Sequence, residues 1–336
     1  MLMNNNTIIN HNKIKVLLIP THAHAGSGGG IRIYNESLVS LFKNDETYDV
    51  EILNLLPYHS LFDIRYHWES LEKSIIKINP DVIHVNGYTT LIPKQIIRIA
   101  QKYNIKTIYT AHWHPFSTMR LPLLKNLYFR INIAPILKHF NQIVTINHEE
   151  YNFFKQYSNK VTLIPHWQRF NTSVADKNPN KIQNMILFVG NLNYKNKGFK
   201  YLFELPKDKY SIHCVGNGDK SILRDDMFLH TRISDQELKS LFKMASLVVI
   251  PSKYEAFSYV ALEALSLGTP VLMSNNVRIA DYVESIEGVE IFNLNNHSEW
   301  IDKVSHHIGS KVDIEKIKEL FSSERAYLNY KNLYSI

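Results

Sequence analysis

Two carboxylates eight residues apart, Glu255 and Glu263, stand in the stretch SLVVIPSKYEAFSYVALEALSLGTPVLM over residues 246–273. Such a pair could flank a glycosidic bond as acid and base, bind the hydroxyls of a sugar, or be merely solvated. The elements around them narrow the choice. Leu247 to Ile250 is an apolar, β-branched run that reads as a buried strand, and Ser258 to Leu267 reads as a helix with Ser258 as N-cap. Gly268 suits the left-handed residue after a helix end, Pro270 stops continuation, and a second strand begins at Val271. Glu255 therefore lies in a loop at the carboxyl end of a strand, with Glu263 about one and a half turns into the next helix. In an open α/β sheet that end binds ligands, and a helix N-terminus offers free N–H groups to a phosphate.

Further candidates sit at the ends of other strands. Lys106 to Thr110 reads as a strand, and Ala111-His-Trp-His-Pro115 after it carries His112 and His114. Two histidines at that spacing could suggest a metal, but no other clustered ligands accompany them. Met185 to Gly190 reads as a strand ending in glycine, followed by Asn191, a polar loop, Lys197-Gly198 and a helix. Tyr210 to Gly218 reads as a strand with a Gly-x-Gly turn at Gly216. Lys15 to Pro20 reads as the first strand, and Thr21 to Gly30 as a loop whose run Gly28-Gly29-Gly30 lets backbone approach a ligand closely. A helix over Ile31–Phe42 follows. The glycine run is neither a Walker loop nor the spacing G-x-G-x-x-G, so ATPase and dehydrogenase readings lose support.

These pieces belong to a longer alternation. Strand signals at Val50–Leu55, Asp81–Val85, Gln142–Ile146 and Val161–Pro165 alternate with helical stretches near Trp68–Ile78 and Pro93–Tyr103, which argues for α/β architecture with doubly wound parallel sheets. At 336 residues the chain is long for one core, so two domains are expected. Residues 171–182, NTSVADKNPNKI, are polar, contain a proline and lack periodicity, as a linker does. The expected organisation is an N-terminal domain over 1–170, a C-terminal domain over 183–319 and a final segment over 320–336.

Composition and charge bound the function. With 45% apolar and 21% charged residues the chain reads as a soluble globular protein. Cys214 is the only cysteine, which excludes an intramolecular disulfide and a multi-cysteine metal site and points to a reducing compartment. No apolar run approaches the roughly 18 residues a membrane span needs, and MLMNNNTIINHNK is no signal peptide, so a cytoplasmic location is expected. Residues 1–170 carry 18 Lys/Arg against 11 Asp/Glu, whereas 171–336 carry 20 of each. Between Val82 and His148 there is no acid and there are eight Lys/Arg. That basic face invites an anionic partner: nucleic acid, anionic lipid headgroups or a diphosphate-linked substrate. No nucleic-acid motif accompanies it. Within it, residues 117–140 interleave Leu, Ile and Phe with Arg120, Lys125, Arg130 and Lys138. That is the composition of an interfacial membrane segment as well as of a core face, and Pro122 and Pro135 limit any single long helix.

Glu255-Ala-Phe-Ser-Tyr-Val-Ala-Leu-Glu263, with a Pro-Ser before it and Gly-Thr-Pro-Val after it, resembles the E-x7-E signature of retaining glycosyltransferases of the GT-B fold, in particular glycosyltransferase family 4. The resemblance covers nearly the whole chain and is most specific between 185 and 283. It implies two Rossmann-like domains facing across a cleft, with the C-terminal helix crossing back to the first domain. It also implies Glu255 against the donor sugar, Glu263 on the ribose hydroxyls, His112 reaching the sugar from the N-terminal domain, and Lys197 on the donor diphosphate. Gly29 and Gly30, with Arg32 as a further candidate, would face the cleft from the element after the first strand. Gly190, Asn191, Gly216, Phe257, Ser258 and Tyr259 complete the implied donor side. Two positions depart from the pattern: Asn191 stands where an arginine is usual, and Ser258 where glycine is frequent. With no D-x-D motif, no metal or other cofactor is expected; Lys197, the helix N-terminus at Ser258 and the Gly29-Gly30 backbone would carry the leaving-group charge. The implied partners are a nucleotide-sugar, a saccharide or lipid-diphosphate-saccharide acceptor and, through the basic domain, an anionic membrane surface. A sugar-nucleotide epimerase of the same architecture and a degenerate accessory subunit are the alternatives.

Overall fold

The computed structural model describes residues 13–21, 29–53, 63–87, 91–118, 121–170 and 180–336, without the side chains of 63–68 and of His297. The expected roles of Gly28 and Arg120, and most of the expected linker, lie outside the described residues. In chain order the first half forms β1 (Ile14–Pro20), α1 (Gly30–Phe42), β2 (Tyr48–Ile52), α2 (Asp63–Ile78), β3 (Val82–Asn86), α3 (Ile92–Tyr103), β4 (Lys106–Thr110), α4 (Pro122–Asn132), α5 (Ala134–Leu137), β5 (Gln142–Thr145), α6 (His148–Lys155) and β6 (Val161–Leu163). The second half forms β7 (Met185–Val189), β8 (Ser211–Val215), β9 (Met227–His230), α7 (Asp235–Met244), β10 (Leu247–Ile250), α8 (Tyr259–Ser266), β11 (Val271–Ser274), α9 (Ala280–Val283), β12 (Val289–Phe292), α10 (His297–His307), α11 (Ile314–Leu320) and α12 (Ser323–Tyr334).

Val16 to Ile19 are fully buried, as continuous apolar runs are when a parallel sheet is covered on both faces. All strands pair in parallel, in the orders β2-β1-β3-β4-β5-β6 and β12-β11-β10-β7-β8-β9. The order reverses beside β1 and beside β7, so each sheet opens a crevice at the carboxyl ends of its central strands. In the second sheet that crevice lies between the ends of β7 and β10, where Gly190 and Glu255 follow. One side of the first sheet packs on α3 to α6 around Tyr109, Phe129, Phe140 and Phe154. The other side packs on α1 and, from the far end of the chain, on α12. Ala326, Tyr330 and Tyr334 recur every fourth residue, so they form one face of α12, and that face is buried against Val16, Leu18 and Tyr34. Tyr330 shares a 2.7 Å hydrogen bond with the Tyr34 hydroxyl, and Tyr334 bonds His84 Nδ1 at 2.9 Å.

Local chemistry sets the boundaries. Ser234 and Glu237 form a capping box that starts α7. Pro122 and Pro135 stand in the first turns of α4 and α5, where the missing N–H costs nothing, and the apolar region is split at Ile133. The helix expected after Lys197-Gly198 is instead a short 3-10 segment over Phe199–Glu204. The chain there enters from a left-handed Gly198 and reaches Leu205, whose place before Pro206 disfavours the α conformation, so only six residues remain for it.

Candidate functional site

The loop after β10 is held as an extra strand. Glu255 bridges Val277 in parallel, its N–H donating to Asn276 O at 3.1 Å and its carbonyl accepting from Arg278 N at 3.0 Å. Its carboxylate faces the crevice and accepts hydrogen bonds from Lys197 Nζ at 2.9 Å and Ser252 Oγ at 2.7 Å. Burial alone pushes this carboxyl up, but the Lys197 charge and hydrogen bonds from Ser252, Lys197 and Ser258 outweigh it and hold Glu255 below its ordinary value. Glu255 is thus an anion paired with a cation at the mouth of the sheet.

Lys197 comes from a loop sewn to the Glu255 loop. Lys253 N donates to Asn196 O at 2.7 Å and Asn196 Nδ2 to Tyr254 O at 2.8 Å. Gly198 lets the two loops touch: at φ 71°, a Cβ there would lie 1.8 Å from the carbonyl of Pro251. Gly216 does the same between β7 and β8, where a Cβ would meet Gly190 O at 2.1 Å. Gly190 in turn lies against the Lys197 stem. Asn191 supplies no charge; its Oδ1 accepts from Asn193 N at 3.0 Å and fixes the turn that leads to Lys197.

Ser258 caps α8, its Oγ accepting from Ala261 N at 3.3 Å. Its φ of 135° belongs to glycine-favouring backbone, which agrees with the glycine that the family resemblance leads one to expect at this place. Phe257 is not in the crevice: its ring is buried among His166, Tyr282 and Phe321. Tyr259 turns toward the first domain, stacking on His166 at 4.4 Å. Phe257 precedes the cap of α8 and Tyr259 lies in its first turn, and both rings are buried against residues of other elements.

From the first domain, His112 takes φ 49° directly beyond β4 and packs edge-on to Tyr34 at 4.6 Å and beside His166 at 5.9 Å. His114 lies against the Tyr254 ring at 4.9 Å. Burial lowers His114 to about 4, and it feels the charges of both Glu255 and Lys197. The second histidine of the pair is therefore electrostatically coupled to the site. Glu150, three residues after the cap Asn147 and not read as a site residue from the sequence, organises this loop. It is fully buried and accepts from Trp113 N at 2.9 Å and Ile146 N at 2.8 Å. Its neighbour Asn147 caps α6 and donates across the domain boundary to Ala256 O at 2.6 Å. Gly29 stands at the start of α1, and among the described residues nothing lies within 4 Å of a Cβ added to Gly30. Arg32 instead pairs with Glu36 at 2.7 Å on an exposed surface.

Glu263 is held by a partner that sequence reasoning missed. Arg169 donates from Nε to Glu263 Oε1 and from Nη1 to Asp235 Oδ2 at 3.0 Å. Beside Arg169 a cavity of 1050 Å³ runs between α1, α12 and Asp235; it adjoins the Glu263 side of the site, while the Glu255–Lys197 pair lies outside its lining.

Two parallel sheets meeting across a charged crevice, with a carboxylate–lysine pair at one switch point and a helix N-terminus beside it, define a GT-B glycosyltransferase fold. Residues 28–167 match the family described as Glycosyltransferase Family 4, and residues 170–316 the one described as Glycosyl transferases group 1. The chain belongs to these group 1, family 4 glycosyltransferases. It is 31% identical over 177 residues to an uncharacterized glycosyltransferase of Methanocaldococcus jannaschii, covering 46% of this chain and 45% of that one. It is 25% identical over 227 residues to an uncharacterized 41.2 kDa protein in the cps region of Klebsiella pneumoniae, covering 60% and 62%. The chain thus spans about half of the length of the curated relatives it matches. Among solved structures it superposes on sucrose-phosphate synthase from Thermosynechococcus elongatus with a TM-score of 0.75 at 17% identity, covering 96% and 98% of the two chains. Anabaena HepE in complex with UDP and glucose gives 0.71 at 12% identity, covering 96% and 100%.

Proposed function

We propose that the protein is a retaining hexosyltransferase that moves a sugar from a UDP- or GDP-sugar to a saccharide acceptor, lipid-linked, in the synthesis of a bacterial surface polysaccharide such as O-antigen or capsule. The observation that carries the reading is the Glu255–Lys197 pair at the switch point of the second sheet, beside the N-terminus of α8. Transfer breaks the bond between the anomeric carbon and the diphosphate oxygen and forms one to an acceptor oxygen on the same face, the proton of the acceptor hydroxyl passing to the departing diphosphate. The departing diphosphate gathers negative charge, which Lys197 and the free N–H groups at the start of α8 neutralise. Glu255, kept ionised, accepts hydrogen bonds from the donor sugar hydroxyls, and Glu263 accepts those of the ribose. His112 and His114 close the site from the first domain, with His114 neutral and able to hydrogen-bond a sugar hydroxyl. In this reading no metal is needed, because fixed cations and dipoles take its place. The relative in a cps region and a structural neighbour that binds UDP and glucose favour the polysaccharide and UDP readings.

Membrane association is part of the proposal, and α4 supports it. Leu123, Leu124, Leu127 and Ile131 are 83%, 61%, 53% and 59% exposed, on a helix that also carries Lys125 and Arg130. Among the described residues no helix is long and apolar enough to cross a membrane; a short helix with this pattern suits an anionic bilayer surface. The test of the donor site is thermal shift with UDP, GDP and ADP in EDTA, on wild type and Lys197→Ala. One nucleotide raising Tm in EDTA, with the shift reduced in the variant, supports the reading. No shift with any nucleotide would favour an accessory subunit, for which the charge-free turn at Asn191 is the structural argument.

A further inference from the structure

Arg169 takes no part in the chemistry assigned so far. It sits on the covalent connection between the domains, next to Gln168, whose N–H donates to Phe321 O at 3.0 Å. Its guanidinium lies 4.5 Å from the Phe170 ring, which fixes its plane. The two carboxylates it grips differ: the Asp235 side chain is 72% exposed and that of Glu263 only 5%. The Asp235 contact is a solvated surface pair and the Glu263 contact a desolvated, charge-assisted one, so the second dominates. We propose that Arg169 is a positioning residue of the donor site, orienting the Glu263 carboxylate so that its second oxygen, Oε2, accepts the ribose hydroxyls of the nucleotide-sugar. This inference rests on the donor-site reading of Glu263 given above.

Holding the carboxylate also keeps it an acceptor. Burial drives Glu263 up to about 7, with Arg169 acting against the rise and Asp235 adding to it. The charged and titratable groups around it are Arg169 from the connection, Asp235 at the start of α7, and Tyr259 one turn earlier on α8. Without the guanidinium the carboxyl titrates at a higher pH, and below that pH a protonated acid replaces the acceptor pair that a ribose diol needs.

Isothermal titration of the full chain with UDP, GDP and ADP at about pH 7.5, just above the wild-type value, and at about pH 9.5 tests this, on wild type, Arg169→Ala, Arg169→Lys and Glu263→Gln. The nucleotide that binds wild type is expected to bind Arg169→Ala about tenfold or more weakly at the lower pH, as loss of a charge-assisted contact implies. The gap narrows at the higher pH, where Glu263 ionises unaided, and Arg169→Lys, which keeps the charge but not the stacked fork, falls between wild type and Arg169→Ala. Arg169→Ala binding like wild type, or weakened equally at both pH values with a lowered Tm, overturns the inference. Glu263→Gln separates the two levels. If it binds like wild type, the donor-site reading of Glu263 falls; if it weakens while Arg169→Ala does not, only the positioning role falls. No binding of any nucleotide to wild type removes both.

Discussion

Ser258→Gly is expected to stabilise the protein even though it deletes a helix cap. The residue is buried, with φ 135° and ψ 102°, backbone that a side chain strains. Strain of this kind costs roughly 1–3 kcal/mol. Against its relief stand the cap, worth only a few tenths of a kcal/mol when serine becomes glycine, and about 0.5–1 kcal/mol of extra chain entropy in the unfolded state. The balance is a gain of about 1 kcal/mol. Ser258→Ala keeps the strain and loses both the bond to Ala261 N and the hydroxyl that lowers Glu255, so it should lose about 1 kcal/mol or more. Urea unfolding of the three proteins, compared at constant m, measures both differences. A glycine variant less stable than the serine protein would refute the strain argument, and the φ of 135° would then have to be a relaxed conformation set by the loop. The same variant tests the site, since Glu255 loses one hydrogen bond while the Lys197 pair remains.

Two further predictions concern pH and the membrane. Burial raises Glu150 to about 7. A carboxyl with a raised folded value stabilises fully below its unfolded value and loses that contribution as pH rises through the folded one. The stability of wild type relative to Glu150→Gln should therefore fall by about 3 kcal/mol between about pH 4.5 and 7; a flat difference across that range would contradict the desolvated setting of this group. Replacing Leu123, Leu124 and Leu127 together by serine should leave urea stability almost unchanged, because the side chains are exposed. It should weaken cosedimentation with phosphatidylglycerol vesicles by about tenfold or more. Equal binding of both proteins, or equal binding to phosphatidylcholine, counts against docking through α4.

What could be read from the chain depended on how local each signal was. The β10–α8–β11 unit was legible because its punctuation is contiguous: an apolar run, Ser258, Gly268 and Pro270 each fix one boundary. β9 and β12 were not read, since four residues give no measurable period and both follow acidic, loop-like sequence. α10 did carry a signal, Asn296 followed three residues later by Glu299, and the structure uses Asn296 as its cap. Phe257 and Tyr259 share a motif with Glu255, but a motif does not say which way a ring points, and the loop before α8 and its first turn bury both rings. Arg169 lies far along the chain from Glu263 in a segment without periodicity, so only tertiary structure joins them. The different surroundings of His112 and His114 were hidden for the same reason: one ring packs on Tyr34 and His166 and the other on Tyr254, and spacing carries no such information.

The docking of α12 on the first sheet has a consequence for synthesis. Tyr330 and Tyr334 fill the side of that sheet occupied by Val16, Leu18 and Tyr34, yet they leave the ribosome only after every strand of the second sheet. During translation the first sheet therefore waits with one face covered by α1 alone and the part that α12 buries, His84 included, open to water, while the second domain can already close around its own core. The half of the molecule that is made first is completed last, and a nascent chain halted before α12 would present that uncovered part to chaperones.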